Sequence, residues 1–347
     1  MKIGSHQTDE SVFIIAEIGN NHEGDFSLAK EMILLAAQAG ANAVKFQTIV
    51  PERLISISDD ERIAQLSQFQ FTSEQFRELR DFSNKSGMEF LSTPFDIESI
   101  DWLDDLVPAW KVASGDNNFY PLLERLALTG KPTIISMGLG FHDQSVHLQD
   151  FFVKTWQRHG IKNAELAMLH CVVSYPTPDN EAALGQMEKL KLPDITLGYS
   201  DHTIGIKAAE LAVAAGARII EKHFTIDKTR SSFRDHQLSA APEDMQQLVQ
   251  AIRDVELMLG GSTGHQNCES SNRKAVRRSL TAASDLPAGS LLNMDQLVWV
   301  RPGTGIPPGQ EGSVLGKKLT RSISAGEQVS PEDVETATEK HPANESS

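Results

Sequence analysis

Leu197-Gly-Tyr-Ser-Asp-His202 and, a little further on, Ile219-Ile-Glu-Lys-His-Phe-Thr225 are the stretches whose reading decides the fold. Each is a short apolar run of strand type that ends in polar, titratable residues. A strand that breaks into a polar cluster at its C-terminal end is how a parallel α/β enzyme presents chemistry. His202 and His223 sit just past the apolar part of two successive strands. A parallel sheet sets such ends side by side, so the two rings can converge on one metal ion. Each histidine taken alone could equally cap its strand by hydrogen bonding. The rest of the chain favours the metal.

Working outward, the same beat recurs on both sides of this pair. Val12–Ala16 is a β-branched, buried-type strand that gives way to a Gly- and Asn-rich loop, Glu17–Gly24. Asp25 or Ser27 can cap a helix whose Leu28, Met32, Leu35, Ala36 and Ala39 share one face, and Gly40 stops it. Strand-type runs follow at Ala43–Gln47, Met88–Ser92, Ala109–Ala113, Thr133–Ser136, Glu165–Leu169, Ile195–Tyr199 and Arg218–Lys222. Between and after them helices are expected at Thr72–Lys85, Asp96–Leu106, Tyr120–Leu128, His142–Arg158, Asn180–Leu190, Ile204–Ala215 and Pro242–Leu259. Eight strands in strict alternation with eight helices, over roughly 250 residues, predict a closed α/β (β/α)8 TIM barrel rather than an open doubly wound sheet. No Gly-x-Gly-x-x-Gly follows the first strand and there is no Gly-Lys-Ser/Thr loop, so nothing favours a dinucleotide or a P-loop. An internal echo supports the repeat: Ala39–Gln47 and Ala215–His223 share a helix end, a Gly turn and a strand at the same offsets. Lys45 then matches Glu221 and Gln47 matches His223, and strand alternation puts all four toward the barrel mouth if that face is the interior.

Past Gly260 the character changes. Gly260–Gly264 reads as a flexible break, and Ala275–Val334 as short strand-like pieces with turns at Pro287-Ala-Gly289, Arg301-Pro-Gly303, Pro307-Pro-Gly309 and Ala325-Gly326. The expected organisation is a barrel over 1–260, a linker over 261–274, a small β-rich domain over 275–335 and a disordered polar tail over 336–347. A formal net charge of -15 argues against nucleic-acid and anionic-membrane binding, while leaving room for a local basic pocket. Cys171 and Cys268 form no disulfide framework, Met1–Glu10 has no signal-type apolar core, and no apolar run approaches a membrane span, so the expected compartment is the cytoplasm.

The strand ends supply an inventory of Glu17, Lys45, Gln47, Thr93, Lys111, Ser114, Ser136, His170, Tyr175, Ser200, His202 and His223. Two lysines pointing into a barrel mouth need compensation, by an anionic ligand or by a salt bridge to Glu17 or Glu221. Two lysines with several hydroxyls suit a small molecule carrying both a phosphate and a carboxylate. A divalent ion on His202 and His223 can polarise a carbonyl, and Glu17 is a candidate general base. Together these parts describe joining an enol phosphate to an aldehyde. Asn20-Asn-His22 belongs either to the site or to a tight polar loop.

Ile14–Asp25, Val44–Thr48, Ser92–Phe95, Leu169–Cys171, Tyr175–Pro178, Gly198–Thr203 and Glu221–Thr225 together resemble the sialic acid synthase family, and Arg278-Ser-Leu, Asp285–Gly289 and Arg301-Pro-Gly303 resemble its antifreeze-like (SAF) domain. The resemblance implies condensation of phosphoenolpyruvate with an N-acylated mannosamine-type sugar to give a nonulosonic acid and phosphate. It implies Mn2+ or Mg2+ on His202 and His223. Phosphoenolpyruvate would be held by Lys45, Thr93, Lys111, Ser114, Ser136 and Ser200, with Glu17 handling water. The sugar would face Gln47, Asp116, Tyr175 and Asp235, and Arg301 would reach it from the partner in a domain-swapped homodimer. Asp116 stands where the family often has Glu, Val173 where some members are polar, and Asp227–His236 lacks the usual Pro-Gly-Pro-Asp. These departures fall on the sugar side, which keeps open a 2,4-diacetamido-6-deoxy hexose leading to a legionaminic- or pseudaminic-type acid. A carbohydrate-binding or ice-binding protein built on the small domain leaves the two histidines and two lysines unexplained.

Overall fold

A computed structural model describes residues 1–140, 142–231, 233–260 and 267–336. The expected tail beyond residue 336 and the first part of the expected linker lie outside these described residues. The chain divides into two compact units, Met1–Gly260 and Gly261–Ser347.

The first unit holds eight parallel strands: β1 (Phe13–Gly19), β2 (Ala43–Thr48), β3 (Glu89–Pro94), β4 (Trp110–Val112), β5 (Thr133–Ser136), β6 (Leu166–Cys171), β7 (Ile195–Asp201) and β8 (Ile219–His223). Their hydrogen-bonded order is β3-β2-β1-β8-β7-β6-β5-β4, every ladder parallel. β3 and β4 lie side by side without a ladder, so the ring is a nearly closed TIM-type barrel. Around it run α1 (Phe26–Gln38), α2 (Ser73–Lys85), α3 (Ser99–Leu103), α4 (Tyr120–Ala127), α5 (His142–His159), α6 (Lys207–Ala214) and α7 (Pro242–Leu259). Asp25 caps α1 by accepting from the amides of Ser27 and Leu28, and Thr72 with Gln75 forms a capping box on α2.

The strict alternation of eight α-helices does not hold. Between β6 and β7 the expected Asn180–Leu190 helix is instead a 3-10 turn and a 3-10 helix, Leu184–Leu190. Ala183 sits in the left-handed region at φ 50°, which interrupts helical hydrogen bonding just where an α-helix would propagate. Between β2 and α2 two short helices, Pro51–Leu54 and Asp60–Ser67, extend the loop over the barrel mouth. β1 also runs past Ala16 to Gly19, because its ladders to β2 and β8 continue on both sides.

Two cores result. One lies between strands and helices, with Ile14, Val44, Phe46, Phe90, Trp110, Phe152, Tyr199 and Phe224 among its members. The other fills the barrel interior with Phe13, Ile15, Ala43, Leu91, Ala109, Ile134, Ala167, Leu169 and Ile219. Gly198 belongs to this inner level: a Cβ there would stand 2.7 Å from the Ile219 carbonyl oxygen and 2.8 Å from Leu169 Cγ. In the second unit, β9 (Ser279–Ala282) and β10 (Leu297–Val300) pair antiparallel after a helix, α8 (Ser270–Val276). This unit has its own core of Leu280, Leu286, Leu292, Leu297, Val314, Leu319, Ile323 and Val329.

Candidate active site

Side chains alternate along a strand, so the level above the inner apolar layer is reached two residues on. From Ile15, Ala43, Leu91, Ala109, Ile134, Gly198 and Ile219 that step arrives at Glu17, Lys45, Thr93, Lys111, Ser136, Ser200 and Glu221. The chain therefore caps its apolar barrel core with one polar layer at the C-terminal end of the strands. That layer is a single network. Lys45 Nζ lies 2.8 Å from Glu17 Oε2, 3.8 Å from Glu221 Oε2 and 2.8 Å from Thr93 Oγ1. Lys111 Nζ lies 3.3 Å from Glu221 Oε1 and donates to Ser136 Oγ at 2.8 Å and to the Val112 carbonyl at 3.1 Å. Ser200 Oγ donates to Glu221 Oε1 at 2.8 Å, and Gln47 Nε2 to Glu17 Oε1 at 3.2 Å. Glu17, Lys45, Lys111 and Glu221 are each 5% exposed or less, so these charges meet in a low-dielectric setting.

The lysines thus pair with carboxylates in the free protein, and the mouth carries both signs of charge. The surroundings push the two carboxylates apart. Burial raises the pKa of Glu17 more than Lys45 lowers it. Burial acts the same way on Glu221, but Lys111, Lys45 and the Ser200 hydroxyl override it and hold that group at about 2. Burial opposes the charge of Lys45, yet Glu17 and Glu221 together keep its pKa raised. For Lys111 burial wins and the pKa is lowered. Two carboxylates with opposed shifts are the arrangement that separates a proton-exchanging group from a permanent counter-charge. The directions of the two shifts make Glu17 the candidate for the first role and Glu221 for the second.

One further step up the strands stand the two histidines, with ring centroids 5.4 Å apart. His202 Nδ1 donates to the Val172 carbonyl at 2.7 Å, which leaves the lone pair of Nε2 available, and Cys171 Sγ lies 3.7 Å from the same Nδ1. His223 Nδ1 is buried without a hydrogen-bond partner, and burial lowers its pKa to about 3, so it is a neutral imidazole with an orphaned nitrogen. Burial opposes charge on His202, yet Cys171 and the Val172 carbonyl keep its pKa raised. The orphaned His223 Nδ1 beside the His202 ring is the feature that fits a divalent cation. Among the described residues no cluster of three or more His, Cys, Asp or Glu could hold a metal. An ion held by two histidines would keep open positions for substrate and water, as a catalytic rather than structural site requires. Tyr175 places its ring 4.3 Å from that of His202 and 6.3 Å from that of His223.

A cavity of about 960 Å3 opens above the cluster, lined by Gln47, Ser114, Asp116, Tyr175, His223 and Asp235 among others. Ser114 Oγ accepts from the Gly138 amide at 3.1 Å, and burial raises the pKa of Asp116, whose Oδ2 has no hydrogen-bond partner. Asn20 joins this set by donating to Gln47 Oε1 at 3.0 Å. Asn21 and His22 do not: Asn21 ties to Phe224 and Ser239, and His22 stacks on Phe71 at 4.2 Å. His170 faces away, its Nε2 on the Ala182 carbonyl at 2.9 Å. Arg301 is exposed in the second unit, just after β10. Sequence reasoning missed Glu221 as the hub of the cluster, although its match to Lys45 in the internal echo was a usable signal. It also missed the pair behind the histidines. Asp201 and Lys222 point outward between the inward residues and meet at 2.9 Å, both fully buried. Thr203 and Tyr199 complete the bonding of Asp201.

Fold and site define an α/β barrel with a buried layer of paired lysines and carboxylates, and two adjacent histidines, at the C-terminal end of its strands. The chain belongs to the NeuB family, whose model matches residues 32–264, and it carries a SAF domain over residues 277–335. It is 38% identical over 342 residues to the N,N'-diacetyllegionaminic acid synthase of Legionella pneumophila, covering 93% of this chain and 94% of that protein. It is 34% identical over 346 residues to the N-acetylneuraminate-9-phosphate synthase of Mus musculus, covering 94% of each. The crystal structure of the N-acetylneuraminic acid synthetase of Leptospira borgpetersenii matches with a TM-score of 0.72 at 34% identity, over 78% of this chain and 94% of that one. The chain is thus an enzyme of the sialic, legionaminic and pseudaminic acid synthase family, a phosphoenolpyruvate-dependent transferase that forms carbon–carbon bonds. Among the described residues no helix is long and apolar enough to cross a membrane.

Proposed function

We propose that this chain condenses phosphoenolpyruvate with the open-chain form of an N-acylated hexose such as N-acetylmannosamine, giving a nonulosonic acid and phosphate. The observation that carries the reading is the buried Glu17–Lys45–Glu221–Lys111 network directly beneath His202 and His223. Lys45 and Lys111, with Thr93, Ser114, Ser136 and Ser200, hold the phosphate and carboxylate of phosphoenolpyruvate. Gln47, Asp116, Tyr175 and Asp235 face the sugar. His202 and His223 would hold Mn2+ or Mg2+, which when bound supplies Lewis acidity toward the sugar's aldehyde. The enol carbon C3 of phosphoenolpyruvate attacks the aldehyde carbon, and the aldehyde oxygen becomes a hydroxyl with a proton that comes, in the overall balance, from the water that adds next. Water adds at C2, Glu17 accepts its proton, and phosphate leaves by cleavage of the C2–O bond, which restores the keto acid. Glu17 suits this because burial keeps its proton affinity above that of an ordinary glutamate.

The same reading takes the protein as a domain-swapped homodimer, in which Arg301 of the partner subunit reaches the sugar, and places it in the cytoplasm, in keeping with its two free cysteines. The test is release of phosphate from phosphoenolpyruvate with Mn2+ and acceptor, with and without chelator, together with Mn2+ binding to His223→Ala by electron paramagnetic resonance. Chelation should abolish turnover, and the variant should lose both metal and turnover while melting as a folded protein. Normal turnover by His223→Ala would remove the metal assignment.

A further inference from the structure

His202 and His223 stand on neighbouring strands, yet the ladder between those strands stops short of them. The register of β7 and β8 ends with Asp201 opposite Lys222, one residue before each histidine. Past that rung the side chains of the rung itself take over. Lys222 Nζ lies 2.9 Å from Asp201 Oδ2 and donates at 2.5 Å to the carbonyl of Thr203, beyond His202. Asp201 Oδ1 accepts from the Thr203 amide and hydroxyl, each at 2.8 Å, and from the Tyr199 hydroxyl at 3.2 Å. The carboxylate of one strand thus takes the amide that follows His202, and the ammonium of the other takes the next carbonyl. The His202 ring has a tether of its own, on the Val172 carbonyl. His223 differs, because its Nδ1 has no hydrogen-bond partner and its ring is placed through the backbone. There the Phe224 amide donates to the Glu17 carbonyl at 2.8 Å, and the Ala240 amide to the His223 carbonyl at 2.7 Å.

Stability alone does not call for charges at this place. Asp201 and Lys222 are fully buried, and they share the outward face of their strands with Tyr199, Ile220 and Phe224 of the apolar layer. Apolar residues of similar volume are often neutral or stabilising relative to such a pair, since each charge has lost its water. What a fully hydrogen-bonded pair adds is a definite relative position of the segments it joins. We propose that Asp201 and Lys222 are positioning residues: their clamp fixes the His202 and His223 backbones relative to one another and so sets how tightly the two histidines hold a divalent ion. The inference rests on the metal assignment of the proposed function and adds two residues that act on the ion only through the histidines. Residues behind metal ligands govern affinity by roughly 10- to 100-fold, and a clamp acting through the backbone belongs near the lower end.

The experiment is Mn2+ binding, read by electron paramagnetic resonance on the metal-stripped full chain. It compares the unmodified protein with Asp201→Asn/Lys222→Met, which removes both charges and strands neither. Thermal melting and calorimetric binding of phosphoenolpyruvate without metal are read on the same samples. Phosphoenolpyruvate is the internal control, because the lysines proposed to hold it stand on β2 and β4. The double variant should melt as a folded protein, keep its Kd for phosphoenolpyruvate and bind Mn2+ about tenfold more weakly. A merely structural pair would weaken both ligands alike or neither, and either result overturns the inference. Asp201→Asn alone keeps Oδ1 as the acceptor for Thr203 and carries the same test should the double variant not fold. It too should lose Mn2+ affinity selectively, and unchanged affinity overturns the inference. His223→Ala separates the two claims. Loss of Mn2+ there, with unchanged affinity in the clamp variants, removes the clamp and leaves the metal assignment standing. Mn2+ binding by His223→Ala as tight as by the unmodified protein removes the metal assignment and the clamp with it.

Discussion

Glutamine at position 221 keeps the volume of the side chain and a partner for Ser200, and removes the charge that faces both lysines. Glu221 lies 3.3 Å from Lys111 Nζ and 3.8 Å from Lys45 Nζ, and Lys111 Nζ has no other carboxylate within 4.0 Å among the described residues. At an effective dielectric of about 20, one such contact amounts to roughly 4–5 kcal/mol of bare attraction. The carboxylate's own desolvation opposes that attraction, and Glu17 remains to balance Lys45, so the net loss belongs near the low end for a broken buried pair, about 3 kcal/mol. For a barrel of this size that lowers Tm by about 6–12 °C. Anion binding moves the other way. An anionic substrate resting on the far side of the ammonium groups, about 7 Å from Glu221, gains about 2 kcal/mol per unit charge when the carboxylate is gone, up to about thirtyfold in Kd. Recharging Lys111, whose pKa burial already lowers, offsets part of that gain and makes binding take up a proton.

Glu221→Gln should therefore melt earlier alone yet be stabilised more by phosphoenolpyruvate than the unmodified protein is. Thermal melting with and without ligand, and titration calorimetry in buffers of different ionisation enthalpy, read both effects. Weaker phosphoenolpyruvate binding together with an unchanged Tm would mean that the lysines are not the anion site. The pH dependence has a definite sign. Glu221 is depressed to about 2 from 4.5, so the stability it contributes is complete above pH 4.5 and is lost as pH falls toward 2. The variant should show a flatter acid limb over that window.

Glu17→Gln should keep phosphoenolpyruvate binding and lower kcat by roughly 10²- to 10⁴-fold, and it should erase the acid limb of the pH–rate profile. The sign follows from the raised pKa: above 4.5 the unfolded chain releases this proton while the folded one retains it, so Glu17's contribution to stability falls as pH rises toward the folded value, and its action as a base grows over the same range. Lys222→Met strands Asp201 in a fully buried site and should cost about 3–5 kcal/mol, read by thermal melting; Asp201→Asn added to it should recover part of the loss, and no recovery would contradict the ion pair. Arg301→Ala should raise KM for the acceptor by roughly tenfold or more and leave KM for phosphoenolpyruvate in place; equal effects on the two would count against Arg301 as a sugar contact.

The parts of this site that the sequence made legible are those that follow from strand alternation and register. Glu17 and Lys45 are register partners on β1 and β2, and Glu17 and His223 on β1 and β8. Stepping by two along each strand places Gln47, Thr93, Ser136, Ser200 and His202 on the same inward face. The same rule sends Asp201 and Lys222 outward, and they too are register partners, so opposite charges flanking the inward histidines were a readable sign of a buried clamp. What alternation cannot supply is contact across the ring. Lys111 on β4 reaches Glu221 on β8, four strands away in either direction, and that pairing exists only once the barrel has curled nearly shut. Hence Glu221 could be weighed as a counter-charge to the lysines without being placed at the centre of the site. The aromatic contact in the cavity lining was hidden for a related reason. Phe69 and Phe233 come from irregular loops with no period to read, and they meet because both loops ride over the same end of the barrel. In the proposed reading, phosphoenolpyruvate is thus held from the strands, whereas the acceptor is recognised largely from loops. A change of acceptor can therefore arise by altering Asp60–Phe69 or 227–236 without disturbing the charged layer beneath.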